Sequence, residues 1–375
     1  MSTPFRINCL VPDLPAPQEV LPFLQEMHEN RWYSNFGPLV KRFEAELTAF
    51  LERENGAEGC HVATFSSATT ALELALKAMN LPAGSNVLVP AITFPATALV
   101  VINAGLTPVL ADVDRETWEL SPAIANAALA QDDYAAVIPV AAFGRPVESV
   151  VWSAFQKETG VPVILDVAAA LGQQDIHKDL TYCFSLHATK PFGVGEGGLL
   201  VSGDEALITL SRSLSNFGFQ GSAGVVQQTG TNAKFAEYFA AVGLVQTARW
   251  KEVSGRRQAV LDQYLEGLKK VGNTVTLQQG TGDFIPAVFP VYVPGKAEAL
   301  VARMNQASIQ TRRWYLPPLY DHPALAHLPY ADKETDTPFP ASEELRNGLV
   351  GLPFHAFLSN EDIEEICDLV AEVAA

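Results

Sequence analysis

The stretch CFSLHATKPFGVGEGGLLV, residues 183–201, places one lysine between a short apolar strand and a glycine-rich turn into a second strand. The period of two in a strand puts Ser185 and His187 on one face, and four glycines after Lys190 let the chain turn tightly. An amine that forms a Schiff base needs a fixed position and room for an adduct. The stretch therefore predicts that Lys190 is a covalent catalyst, with a surface lysine in a hairpin loop as the alternative.

The length and composition indicate a folded globular protein. At 375 residues, the chain can form two domains, or one large domain with a smaller appendage. Its 48% hydrophobic and 18% charged residues argue against extensive disorder. The longest apolar stretch, residues 87–110, is interrupted by Pro, Thr and Asn, so it suits buried strands better than a membrane span.

The charge and cysteine patterns exclude several classes of function. The formal net charge is −17 and no cluster of Lys and Arg forms a polybasic patch, so we expect no nucleic-acid partner. The four cysteines lie far apart without a CxxC pair, which predicts neither a metal site nor a disulfide framework. The first nine residues lack the apolar core of a signal peptide, which favours a cytoplasmic location.

Strand and helix patterns alternate along the first two thirds of the chain. The strand patterns cover residues 86–90, 107–112, 137–141 and 161–166, and helical patterns between them cover residues 92–104 and 147–157. This alternation predicts an α/β fold with a mostly parallel sheet covered by helices on both faces. Ligands of such sheets bind beyond the carboxyl ends of the strands, and Asp166 ends one of them.

A long helical pattern over residues 235–266 leads into a different arrangement. Strand patterns at residues 274–278 and 287–293 are followed by helical patterns at residues 296–306 and 360–373. We therefore predict an N-terminal arm and a large cofactor-binding domain over residues 1–245. A linking helix and a smaller C-terminal α+β domain are predicted over residues 246–375.

Small hydroxyl residues at positions 66–71 precede a helical pattern. Ser67, Ala68 and Thr69 would place hydroxyl and free N–H groups at a helix N-terminus, which is a favourable site for an anion. The alternative for the same residues is a plain N-cap.

Two further residues suggest a ring-shaped cofactor. A carboxylate at Asp166 could keep a pyridine nitrogen protonated, so that the ring becomes an electron sink, although it could also simply cap the following segment. Phe94 could supply a flat surface against such a ring, or could be a core residue. The glycines after Lys190 lead into a strand, whereas a dinucleotide-binding loop leads into a helix, so a nicotinamide cofactor is rejected.

Taken together, these segments resemble the DegT/DnrJ/EryC1/StrS family of pyridoxal-phosphate-dependent nucleotide-sugar aminotransferases. The resemblance implies a fold of type I, with a seven-stranded sheet in the large domain. The segments that carry it are residues 32–38, 67–72, 90–97, 139–146, Asp166, 184–190 with 195–198, and 230–237.

The resemblance implies a role for each matched residue. Lys190 carries the pyridoxal 5′-phosphate (PLP), Asp166 pairs with its pyridine nitrogen, and Phe94 stacks on its ring. The phosphate is held by Ser67, Ala68, Thr69 and Ser185, with His187 nearby, and Asn232 reaches it from the other subunit of a homodimer. Tyr33, Asn35, Lys234, Arg313 and Tyr315 are implied as substrate contacts, with no metal.

Two positions depart from the family pattern. Ala68 stands where the family has glycine, a change that affects only the conformation of that loop. The third residue after the aspartate is usually Gln or His, which contacts the phenolic oxygen of the cofactor, but here it is Ala169. That contact is therefore missing, or is supplied by a residue such as His187 or Gln173. Because Lys190 is retained, a pyridoxamine-dependent dehydratase is disfavoured.

We expect a two-stage transamination, in which an amino acid, by analogy L-glutamate, gives its amino group to a nucleotide-linked keto-deoxysugar. Two alternatives stay open at this point. One is a different PLP enzyme of the same fold, such as a lyase, and the other is a non-catalytic regulatory homologue.

Overall fold

The structure is a computed structural model that describes residues 5–220, 224–333 and 337–375. The α-helices of the described chain are α1 (Pro17–Asn30), α2 (Pro38–Asn55), α3 (Ala68–Ala78), α4 (Ala96–Asn103), α5 (Pro122–Leu129), α6 (Ser149–Thr159), α7 (Glu205–Ser215), α8 (Glu237–Gly267), α9 (Ala297–Gln306), α10 (Pro340–Gly348) and α11 (Asn360–Ala374). The strands are β1 (His61–Phe65), β2 (Asn86–Pro90), β3 (Thr107–Ala111), β4 (Ala136–Val137), β5 (Ile164–Asp166), β6 (Thr181–Ser185), β7 (Gly198–Ser202), β8 (Phe219–Gln220), β9 (Val225–Val226), β10 (Thr276–Leu277), β11 (Phe289–Tyr292) and β12 (Leu349–Leu352).

The central sheet combines a three-stranded block, β3-β2-β4, with a four-stranded block, β5-β6-β7-β1. Parallel bridges from Val137 to Val163 and from Val140 to Asp166 join the two blocks into one seven-stranded sheet. Every pairing is parallel except the two that β7 makes with β6 and β1. The predicted α/β fold with a mostly parallel, seven-stranded sheet is thus confirmed.

Helices cover both faces of this sheet because its strands are apolar on both sides. In β2, Leu88 packs into the core formed with α1, α2, α6 and the start of α8. Its neighbours Val87 and Val89 face the opposite way, into the core formed with α3, α4 and α7. The period of two along one buried strand therefore supplies two separate hydrophobic layers.

A third core lies in the C-terminal part of the chain. It is built from the small sheet β10-β11-β12, from α9 and α11, and from the end of α8, which contributes Val260 and Tyr264. Earlier in the same helix, Trp250 and Val253 pack into the first core, so α8 contributes to both. The proposed boundary between residues 245 and 246 falls in the first half of this helix, ahead of Trp250.

Several predicted elements are shorter than their sequence patterns, and proline residues explain two of the differences. Helix α4 begins at Ala96 and not at residue 92, because Pro95 disfavours helical geometry at the preceding residue, Phe94. Strand β4 ends at Val137, and the chain that follows contains Pro139, which has no N–H to donate to a neighbouring strand. The first change places Phe94 in a turn at the carboxyl edge of the sheet.

Candidate active site

A cleft of about 330 Å³ opens at the carboxyl ends of the central strands. It is lined by residues from distant segments, and most of the predicted cofactor residues are among them. Those present are Ser67, Ala68, Thr69, Phe94, Asp166, Ser185, His187 and Lys190, together with Tyr315 from the predicted substrate group.

Asp166 ends β5 and its side chain is buried, with 9% of the residue exposed. The Thr97 hydroxyl donates to its Oδ2 at 2.8 Å, and the Ala168 N–H donates to its Oδ1 at 3.3 Å. Burial raises the pKa of this carboxyl, while both hydrogen bonds and the charge of Lys190 act in the opposite direction. A cationic partner in the cleft would therefore stabilise the ionised form of Asp166.

Lys190 lies in the turn between β6 and β7, where its backbone N–H donates to the carbonyl of His187 at 2.9 Å. Burial lowers the pKa of its ammonium group, and the charge of Asp166 opposes that shift. A lowered pKa increases the fraction of neutral amine, which is the nucleophilic form. The turn is tight because a Cβ at Gly193 would lie 2.6 Å from the carbonyl oxygen of Ala188.

The start of α3 has the features of both alternatives predicted for it, an N-cap and an anion site. Ser67 is the N-cap, and its hydroxyl accepts a hydrogen bond from the Thr70 N–H at 3.1 Å. The N–H groups of Ala68 and Thr69, in the first turn, have no acceptor within the helix, and both residues line the cleft. Ser185, on the neighbouring strand β6, is also buried at this end of the cleft. These groups suit a phosphate dianion.

His187 follows β6 and lines the same cleft. Its Nδ1 lies 2.9 Å from the Thr189 hydroxyl, and its Nε2 lies 3.7 Å from Oε1 of Glu196. The ring is thus held by neighbours on its own loop, with one edge open to the cleft.

Phe94 is 60% exposed, which argues against the alternative that it is a core residue. Its ring meets the edge of Tyr315 at a centroid distance of 6.3 Å, and Tyr315 stacks on buried Phe143 at 5.4 Å. Burial and the charge of Asp166 raise the pKa of the Tyr315 phenol. An exposed aromatic face in a cleft suits stacking on a planar ring.

Five predicted residues do not line this cleft in a single chain: Tyr33, Asn35, Asn232, Lys234 and Arg313. Lys234 donates to Oδ1 of Asn232 at 2.7 Å and lies over the ring of Phe217 at 4.8 Å. The Arg313 guanidinium pairs with Glu298 at 2.5 Å and donates to the carbonyl of Arg346. Arg313 is therefore occupied by contacts within the C-terminal region.

Ala169 lines the cleft, so no polar side chain contacts a ligand from that position. Gln173 does not replace it, because its amide is bonded to both backbone groups of Ile285, at 2.6 Å and 2.5 Å. Of the two residues suggested by the sequence, only His187 lines the cleft. The sequence analysis did not name Thr93 and Trp314 as residues of the cleft, or Thr97 as the hydrogen-bond donor to Asp166. All three lie within or beside segments for which other site residues were predicted.

The cleft fits PLP. It offers a buried carboxylate for a pyridinium nitrogen, an amine for an aldehyde, a helix N-terminus for a phosphate and an exposed aromatic ring for stacking. Fold and site together define a PLP-dependent enzyme of fold type I.

The chain belongs to the DegT/DnrJ/EryC1/StrS aminotransferase family, whose model matches residues 17–371. It is accordingly a PLP-dependent transaminase. The erythromycin biosynthesis sensory transduction protein EryC1 of Saccharopolyspora erythraea is 30% identical over 89% of this chain and 90% of its own length. The dTDP-4-amino-4,6-dideoxy-D-glucose transaminase of Shigella dysenteriae is 28% identical over 96% of this chain and 97% of its own length.

Solved structures agree in fold over the full length. DesI, determined in the presence of its TDP-sugar product, superposes with a TM-score of 0.85 at 27% identity, covering 100% of this chain and 94% of DesI. Across the described residues, none of the helices has the length and apolar character that crossing a membrane requires.

Proposed function

We propose that this transaminase moves an amino group from an amino acid, L-glutamate in our assignment, to a nucleotide-linked keto-deoxysugar. The observation that carries the proposal is that Lys190 and buried Asp166 line one cleft, where the charge of Asp166 acts on Lys190. The substrate class is supported by relatives of similar length, since one is named as a transaminase of a dTDP-linked sugar and another was solved with a TDP-sugar product.

In the proposed reaction, Lys190 has two tasks. It would hold the cofactor aldehyde covalently until the donor amine takes its place, and its freed Nζ would then accept the proton of the donor α-carbon and release it again within the same half-reaction. Burial lowers the pKa of Lys190, which increases the fraction of the neutral amine that this step needs. When bound, PLP supplies an electron sink, which Asp166 favours by keeping the pyridine nitrogen protonated.

The other residues position the reactants. We propose that the start of α3 and Ser185 bind the cofactor phosphate. Phe94 and Tyr315 would form the walls of the space for the cofactor ring and for the adjoining substrate. Ala169 leaves that side of the cleft free of a polar contact. Our assignment of Asn35 to the substrate remains a prediction from its place in residues 32–38.

We further propose a homodimer in which Asn232 and Lys234 complete the site of the other subunit. Both lie outside the cleft of their own chain, and Asn232 is exposed. Glu237 ties their segment to the segment of Tyr33, because its N–H donates to the Tyr33 carbonyl and its carboxylate caps the start of α2. A cytoplasmic location stays a prediction from the sequence.

The proposal is tested by separating the two half-reactions. The PLP-loaded enzyme is mixed with L-glutamate, and we expect loss of the cofactor absorbance together with one equivalent of 2-oxoglutarate. Nucleotide-linked 3-keto and 4-keto sugars are then added singly, and the true acceptor restores the absorbance and yields an amino sugar.

Each outcome decides a different part. If L-glutamate yields no keto acid, other amino acids are tried in its place. Failure of every one of them to form its keto acid would overturn the transaminase reaction in this chain. Keto-acid formation with no response to any keto sugar would overturn only the acceptor class. An enzyme with Lys190→Ala serves as the negative control for both steps.

A further inference from the structure

Asp166 accepts a hydrogen bond from the hydroxyl of a buried threonine. Thr97, in α4, is fully buried, and its Oγ1 lies 2.8 Å from Oδ2 of Asp166. The same Oγ1 lies 2.9 Å from Oγ1 of Thr93, which is 2% exposed and lines the cleft. The three side chains form one continuous buried chain.

The direction of these hydrogen bonds follows from the charge of Asp166. An ionised carboxylate can only accept, so Thr97 must donate its single hydroxyl proton to Oδ2. Thr97 then has only lone pairs left for Thr93, so Thr93 must donate to Thr97. Protonation of Asp166 at Oδ2 would force both hydroxyls to reverse their donor and acceptor roles, because two donors would otherwise face each other.

We propose that Thr97, supported by Thr93, is a positioning residue that holds the Asp166 carboxylate ionised and aimed at the cofactor nitrogen. Hydrogen bonds to a charged acceptor are stronger than neutral ones, and a buried carboxylate without them is costly. The backbone N–H of Ala168 donates to the other oxygen, Oδ1, at 3.3 Å, so each oxygen of Asp166 accepts one hydrogen bond from the protein.

Other groups near Asp166 cannot replace Thr97. Among the described residues, Lys190 is the only side chain whose positive charge acts on Asp166, and that charge changes when Lys190 carries the cofactor or gives up a proton. Cys183 and Tyr315 also sense the charge of Asp166, but burial raises the pKa of both, so they stay neutral. Neither has a hydrogen bond to Asp166 among the described residues.

The inference rests on the role proposed for Asp166 and is independent of the acceptor sugar. The test therefore measures binding of pyridoxamine 5′-phosphate, which cannot form a Schiff base with Lys190, between pH 5.5 and 8.5. Thr97→Val removes the hydroxyl with little change in shape. We expect about tenfold weaker binding or more at neutral pH.

The pH dependence gives a second readout that a purely structural role would not move. The Thr97 hydrogen bond lowers the pKa of Asp166, so its loss raises that pKa and leaves less carboxylate at a given pH. The acid limb of the binding curve should move to higher pH by about one unit. Thr97→Ser keeps the hydroxyl and should restore both values, while Thr93→Val should give a smaller effect in the same direction.

The matched control is Thr181→Val, which removes a buried hydroxyl paired with Ser202 at 3.0 Å, away from Asp166. It should leave cofactor affinity and its pH profile unchanged. If Thr97→Val does not fold, as judged by circular dichroism, Thr97→Ala is measured by the same criteria. A folded variant without the hydroxyl that binds like the wild type across this pH range overturns the inference.

Discussion

At the scale of single residues, burial acts on Lys190 and Asp166 in opposite directions. It lowers the pKa of the ammonium group and raises that of the carboxyl, so each charge depends on a partner. Such opposed shifts in one cleft are typical of acid and base groups that take part in a reaction.

Replacing Lys190 by Ala should abolish the absorbance of the covalent bond between the lysine and the cofactor. It should also reduce turnover by at least about a thousandfold, because both the attachment point of the cofactor and the base are lost. Absorbance spectra and steady-state rates measure the two effects. Lys157→Ala is the control, since Lys157 is exposed and its one ion pair within the described part of the chain is with Asp179 at 2.6 Å. Substantial turnover in the Lys190 variant would contradict the assignment.

At the scale of elements, the cleft depends on close contacts between backbones. A Cβ on Gly198, at the start of β7, would lie 2.2 Å from the carbonyl oxygen of Ser67 at the start of α3. The glycine therefore permits the approach that places the anion site beside the lysine turn.

Gly198→Ala should destabilise the protein by about 1–3 kcal/mol and weaken cofactor binding, because backbone atoms cannot move aside cheaply. Gly255, in the exposed part of α8, has no atom within 4 Å of its Cβ position. Gly255→Ala should instead stabilise by about 0.5–1 kcal/mol. Denaturant unfolding and cofactor titration measure both variants, and equal behaviour of the two would contradict the packing argument.

A second element, the segment of residues 285–288, is held from three sides. Gln173 binds Ile285, Arg257 donates to the carbonyls of Pro286 and Ala287, and the Ala287 N–H donates to Phe143. Ala287 and Val288 line the cleft, so the region that follows α8 contributes a fixed apolar wall to the site.

At the scale of the whole molecule, one chain presents an incomplete set of the predicted site residues. Exposed Trp32, Tyr33 and Tyr238 accompany Asn232 on segments outside the cleft, which suits a surface that a second subunit covers.

Mixing two inactive variants tests the shared site. If Lys190 and Asn232 serve one site from different subunits, hybrids of Lys190→Ala and Asn232→Ala contain one intact site each. Random mixing should then restore about a quarter of wild-type activity, because half of the dimers are hybrids with one working site. Lys190→Ala mixed with Lys190→Arg should restore none. An active Asn232→Ala variant, or a monomer in solution, would contradict the proposal.

Local patterns predicted the alternation of strands and helices and pointed to the segments of Lys190, Asp166 and Ser67, while the seven-stranded sheet was expected from the family resemblance. Periodicity reports which face of an element is buried, and turn residues report where it ends, so these features are encoded by neighbours in sequence. Even there, the start of α4 was misplaced, since Pro95 competed with an apolar pattern that continued through it.

Contacts between distant segments required the tertiary structure. Thr97 and Asp166 are 69 positions apart, and their hydrogen bond exists only because α4 and the end of β5 meet at one edge of the sheet. The same holds for Gln173, whose amide is occupied by Ile285, and for Arg313, which pairs with Glu298. The α/β fold and the candidate reactive residues could be predicted from the sequence, whereas packing decided which polar groups remain available to those residues, because a hydrogen bond depends on position in space and not on residue type alone.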